Sequence, residues 1–169
     1  MHHRLTFRNL CVAIGMINVF FIMSYASAHD ALPSAYPVHG FKSPVGSRAF
    51  QQYLLRPPSE LSKIIYLLDR LADSPLEVIY EGDSYPAPFA ANVSRVYVTA
   101  HYRQETVERW IQSFCYRSID EGKPIWFKYP DGFTELARDA ANREMRTLNQ
   151  LVKEYREEHA KTAAQRSIK

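Results

Sequence analysis

From Ser59 to Asp73, apolar residues recur every three or four positions as Leu61, Ile64, Ile65, Leu68 and Leu71. That spacing makes one face of an amphipathic helix. Ser59 suits the N-cap with Pro58 just outside it, and Ser74-Pro75 stops the helix. Glu77-Val-Ile-Tyr-Glu81 then turns strand-favouring and is closed by Gly82-Asp83 as its turn. Pro86 and Pro88 read as a loop after it. Phe89–Tyr102 carries two patterns at once. Val93, Val96, Val98 and Thr99 are β-branched and favour a strand. Phe89, Val93, Val96, Tyr97 and Ala100 fall at helical spacing, with Pro88 at a favourable first-turn position, and a helix is the expectation. Glu105–Ser118 predicts a further helix, with Val107, Trp110, Ile111, Phe114 and Cys115 as its buried stripe.

Ser118–Gly132 reads as loop, strand, turn. Gly122 permits a left-handed turn, Pro124 cannot sit inside a helix, and Ile125, Trp126, Phe127 and Tyr129 favour a strand. Pro130-Asp131-Gly132 ends the run as a turn. Thr134 then suits the cap of a helix running to about His159, with Leu136, Ala140, Leu148, Leu151, Val152 and Tyr155 on its inner face. Charged residues dominate from Lys153 onward, so residues 153–169 are expected to project as a helical tail.

The fold class that follows is α+β. A small antiparallel sheet of two or three strands would pack against three to four helices, the last of them long. Val78–Tyr80 and Ile125–Phe127 are expected side by side, with the helix containing Trp110 packed on them. An unpaired edge would remain, with Glu81 and Lys128 as its protecting charges. Trp126 and Phe127 must point to opposite sheet faces, so one enters the core. The C-terminal helix is expected to cover the other.

Ahead of this domain, expected over residues 59–152, the first 28 residues have the pattern of a secretory signal peptide. Arg4 and Arg8 precede an apolar run from Leu10 to Met23, and Ala26-Ser27-Ala28 is a small-x-small cleavage site. The run is short of the roughly 20 residues that a bilayer span needs, so no stable anchor is expected after cleavage. Residues 29–58 read as a linker broken by Pro33, Pro37, Pro44, Pro57 and Pro58, with a short helix over Ser47–Leu55. Cleavage also changes the charge. The chain of 169 residues carries +3, but losing Arg4 and Arg8 leaves 19 basic against 18 acidic residues, a net +1. That is no footprint for nucleic acid. Cys11 leaves with the signal, so Cys115 alone remains and the mature chain cannot form an internal disulfide.

Catalytic signatures are absent: there is no Gly-x-Ser-x-Gly elbow, phosphate loop or His-Glu-x-x-His. Cys115 with His101 is the one nucleophile and base worth naming, and a cysteine in a helical stripe is far more often a small hydrophobe. His29 and His39 have no third ligand at metal spacing, and Asp120, Glu121 and Asp131 read as local caps rather than calcium ligands. Neither a metal nor a cofactor is expected. Aromatic residues are dense for this length, and exposed aromatics favour interfaces.

One set of residues resembles a known family. A helix ending near Asp73, a strand, Gly82-Asp83, a helix, Glu105-Thr-Val-Glu-Arg-Trp-Ile111 and Ser118-x-x-x-Gly-Lys-Pro-x-x-x-Lys-x-x-x-Gly132 are similar to the YfeK-like family. These are small exported bacterial proteins whose domain has no assigned function. The resemblance covers roughly residues 60 to 150 and rests most on Ser118, Gly122, Lys123 and Pro124, supported by Thr106 and Ile111. The sequence departs from the family at Glu81-Gly82, where Asn-Gly is usual, and at Arg95-Val96, where a His-Leu pair is common. The resemblance implies a periplasmic location. The candidate binding residues are Tyr80, Gly82, Arg95, Ser118, Gly122, Lys123 and Trp126. The expected function is a non-catalytic exported binding or interaction domain for a protein or small ligand, the alternative being a small periplasmic hydrolase with Cys115 as nucleophile.

Overall fold

The computed structural model describes residues 41–166, with side chains through residue 161. The signal-like segment, Cys11, His29, His39 and the expected linker up to residue 40 lie outside the described residues. Among them the elements run α1 (Arg48–Leu55), α2 (Glu60–Ala72), β1 (Glu77–Tyr80), β2 (Asp83–Pro86), α3 (Ala87–His101), α4 (Val107–Phe114), β3 (Trp126–Lys128), β4 (Thr134–Leu136) and α5 (Ala137–Arg166). The fold is α+β, with four antiparallel strands in the order β2-β1-β3-β4.

Capping fixes the helix starts. Ser59 Oγ accepts the backbone N–H of Ser62 at 3.1 Å, Ser47 caps α1 in the same way, and Thr106 caps α4. Pro88 sits in the first turn of α3, where its missing N–H costs nothing, and the helical reading of that segment holds. The helix around Trp110 is shorter than expected, ending at Phe114 with Cys115 as its C-cap.

Helix α2 is the hub, touching α1, α3, α4 and α5. Its buried surface is therefore wider than one stripe and includes Tyr66, Leu67 and Arg70. The end of the expected linker is part of this packing. Ala49, Phe50 and Tyr53 of α1 are buried in the helical core with Ile64, Trp110, Ile111, Met145 and Leu148, so the packed region starts before residue 59. A second core lies under the sheet, with Leu71, Val78, Tyr80, Ala90, Ile125, Phe127, Tyr129 and Ala140.

The central strand pair is the expected one, with Val78 opposite Phe127 and Ile79 opposite Trp126. The two outer strands differ from expectation. Asp83–Pro86 is a strand rather than a loop, because Glu81 (φ 57°) and Gly82 (φ 99°) form a two-residue primed turn that folds it onto β1. Pro86 ends an edge strand, a position that tolerates a missing donor. Thr134–Leu136 is a strand rather than a helix cap. Tyr129–Gly132 reverses the chain, Tyr129 N donates to Phe133 O at 2.8 Å, and α5 starts only at Ala137, whose N–H reaches Ile125 O at 3.0 Å. The sheet edges are thus β2 and β4. Lys128 lies inside the sheet and pairs across it with Glu77 at 2.9 Å, so it guards no edge.

The layering also corrects two expectations. Helices α3 and α5, with the end of α2, cover the sheet, whereas α4 with Trp110 packs on α2 and α5. Phe127 is the core member of its pair, and Trp126 is 37 % exposed, so no helix among the described residues covers its face. Helix α5 turns Ala141, Glu144 and Met145 inward, while Tyr155 is exposed.

Gly82→Ala tests the hairpin. A Cβ there would meet nothing within 4 Å, so the cost is purely one of backbone conformation. A loss of about 1–2 kcal/mol is expected in urea unfolding.

Candidate functional site

The end of the sheet where the β1–β2 turn meets the Ser118–Lys123 loop carries most of the candidate residues. The loop closes on itself. Ser118 N donates to Lys123 O at 2.8 Å, Lys123 N donates to Ser118 Oγ at 3.1 Å, and Gly122 N donates to Ser118 O at 3.2 Å. Gly122 stands at φ 66°, the left-handed conformation read from its place in the sequence. Ser118 is buried because both its backbone and its hydroxyl are spent on this turn. Two bonds tie the loop to the hairpin. Tyr80 Oη accepts the N–H of Ile119 at 3.1 Å, and Glu81 Oε1 accepts the N–H of Glu121 at 3.1 Å. The structure thus joins Tyr80, Gly82, Ser118, Gly122 and Lys123 into one corner. Lys123 pairs in solvent with Glu121 at 2.6 Å, and that hydrogen bond raises its pKa.

Two candidates lie elsewhere. Arg95 on α3 donates to Asp69 Oδ1 at 2.8 Å and to Asn92 at 2.8 Å. Asp69 also accepts from Arg56 at 2.8 Å, so this carboxylate fastens α1 and α3 to α2. Trp126 stands on the outer face of the sheet opposite Ile79 and Leu136.

Behind the corner lies a cavity of about 100 Å³ where the two cores meet. Leu67, Leu68, Val78, Trp110, Ile125 and Phe127 form its interior, and all are buried. Tyr85, Phe89, Tyr97 and Phe114 make its aromatic sides. Tyr85 stacks on Phe89 with centroids 5.8 Å apart, and Tyr97 tilts against Phe114 at 5.2 Å. Arg117 and Ile119 border the mouth, and both are exposed. Tyr80 belongs to the wall, so the loop that it holds is also the lip of the cavity. Aromatic density was the one sequence signal for this space. The contributing residues come from seven elements and show no common spacing.

Cys115 also lines the cavity. The residue is partly accessible, yet burial alone pushes its thiol up to about 12. Only roughly one thiol in 10⁵ is then ionised at pH 7, and a neutral thiol is a poor nucleophile. His101 is exposed on α3, stacked on Tyr97 with centroids 4.1 Å apart and bonded through Nδ1 to Tyr97 O at 3.0 Å. Alkylation of Cys115 is expected to run about 100-fold slower in native protein than in urea. Equal rates, measured by mass spectrometry, would show the thiol to be open and reactive.

Among the described residues, no group of three or more His, Cys, Asp or Glu could hold a metal ion, and no helix is long and apolar enough to cross a membrane. No family model, curated protein or solved structure matches the chain. The likeness of Ser118, Gly122, Lys123 and Pro124 to the YfeK-like pattern therefore stands on those residues alone.

Proposed function

We propose that this chain is an exported, non-catalytic binding domain that takes an apolar group into the cavity behind the Ser118–Lys123 loop. The observation that carries this reading is the cavity itself: an apolar, aromatic-sided space with a mouth at the surface. Binding sites for small molecules are concave and mostly apolar, with few polar groups. Whole drug-sized ligands fill about 300–1,000 Å³. This space is smaller, and it suits one ring or a short branched chain. An apolar cavity of about 150 Å³ can stay dry and take up benzene, so such an occupant needs no polar partner inside. Export rests on the signal-like segment ending at Ala28 and on the YfeK-like resemblance. Intact mass of the exported form checks that part: a chain starting at His29 is expected, and one starting at Met1 would refute it.

Ala90→Leu tests the cavity. Ala90 lies on α3 at the cavity wall, and leucine adds three carbons into the open space while keeping high helix propensity. Small apolar probes such as benzene should perturb the amide signals of α3, α4 and residues 117–119 in the wild type. In Ala90→Leu those shifts should vanish while the melting temperature stays within a few degrees. Unchanged probe binding in the filled variant would sink the reading.

A further inference from the structure

We infer that the ligand is a small amphiphile with an anionic head, its apolar end in the cavity and its charge on Arg117 at the mouth. This deepens the binding reading above and rests on it. Arg117 is the one charged side chain among the described residues that line the cavity. Its hydrogen-bond partners are neutral: Nη1 donates to Gly122 O at 2.8 Å and Nη2 to Tyr116 Oη at 3.5 Å. The guanidinium also lies over the Tyr116 ring, 4.9 Å from its centroid. These contacts hold the side chain in place, and among the described residues no carboxylate lies within ion-pair distance of it. A guanidinium has five N–H donors in a rigid fork, so donors remain for a carboxylate arriving at the mouth.

The interior selects the other end of the ligand. Its polar lining atoms are few, and the Tyr80 hydroxyl already accepts from Ile119 N. A polar head taken inside would lose its water without replacement, which is costly. The head therefore stays at the surface, and the charge waiting there is positive. The cavity of about 100 Å³ limits the buried tail to one ring or a short chain.

Hexanoate and 1-hexanol share a tail and differ in the head. Titrated into the purified protein and followed by amide chemical shifts, hexanoate should bind with a Kd on the order of millimolar, as its few heavy atoms allow. Hexanol should bind about fivefold more weakly, the worth of one exposed ion pair. Arg117→Gln should weaken hexanoate about fivefold and leave hexanol unchanged. Raised salt should weaken hexanoate alone. Equal binding of the two probes, untouched by Arg117→Gln, would overturn the anionic head and leave the cavity reading standing. Binding of neither probe would overturn both, as would hexanoate binding that survives Ala90→Leu. Arg117 is exposed, and an unchanged amide spectrum elsewhere shows that the variant is folded.

Discussion

Glu144→Ala is expected to lower stability by about 3–5 kcal/mol, the cost of leaving a buried charge without its partner. Glu144 on α5 and Arg70 on α2 are both buried, with Arg70 Nε donating to Glu144 Oε1 at 2.6 Å. Tyr66, fully buried one turn earlier on α2, donates its hydroxyl to the same oxygen at 2.5 Å. Burial and the neighbouring carboxylate push the Tyr66 hydroxyl above its ordinary range, so it remains a donor at any working pH. Alanine at 144 strands both groups in the interior. Arg70 would keep its bond to the Lys42 carbonyl and its place over the Phe41 ring, 5.6 Å from the centroid. Neither contact neutralises its charge. With total stability of roughly 5–15 kcal/mol for a domain, that loss removes from about a fifth to all of it. Urea unfolding followed by circular dichroism measures this. The double variant Arg70→Met/Glu144→Leu is the control, since an apolar pair of similar volume should restore much of the loss. A Glu144→Ala protein within 1 kcal/mol of wild type would show that the pair is hydrated.

The second large effect separates two neighbours in one strand. Phe127→Ala is expected to cost about 3–5 kcal/mol, and Trp126→Ala no more than about 1 kcal/mol. Phe127 is 6 % exposed and packs edge-on against Phe41, with centroids 6.1 Å apart. Its removal opens a hole beside a cavity that already exists, and the sheet cannot close over it. Trp126 occupies the face that no described helix covers. Similar losses for both, compared in the same denaturant series, would mean that something covers the outer face of the sheet.

Much of the fold was legible because its determinants are local. Ser59 caps its helix through a bond made within one turn of chain, as its place before the apolar stripe foretold. Pro88 opens α3 for the same local reason, and Gly82 and Pro130-Asp131-Gly132 mark reversals by their backbone preferences alone, although the first turn falls at Glu81-Gly82 rather than Gly82-Asp83. The pairing of Val78–Ile79 with Trp126–Phe127 was also foreseeable, since two short β-favouring runs must satisfy their backbone groups together. The edge strands were not. Asp83–Pro86 and Thr134–Leu136 have no clean alternation, because an edge strand of three or four residues takes its pairing from the turn that delivers it.

The candidate site divides in the same way. Gly82 and Gly122 could be read from the sequence, because a positive φ is a property of one residue. That Tyr80 would hold the 118–123 loop through Ile119, and that Arg95 would serve Asp69, depended on which helix and strand faces meet. The same holds for Arg70 and Glu144, two charged residues in the interior, separated by 74 positions. Helical periods, the central strand pair and the glycine turns are written residue by residue and were determined by the sequence alone, whereas Thr134, which suits a cap, was drawn into a strand by the turn before it. Which of Trp126 and Phe127 is buried, where Arg117 stands and whether a cavity remains were decided only by tertiary packing. Those outcomes depend on the volumes of side chains that no local pattern brings together.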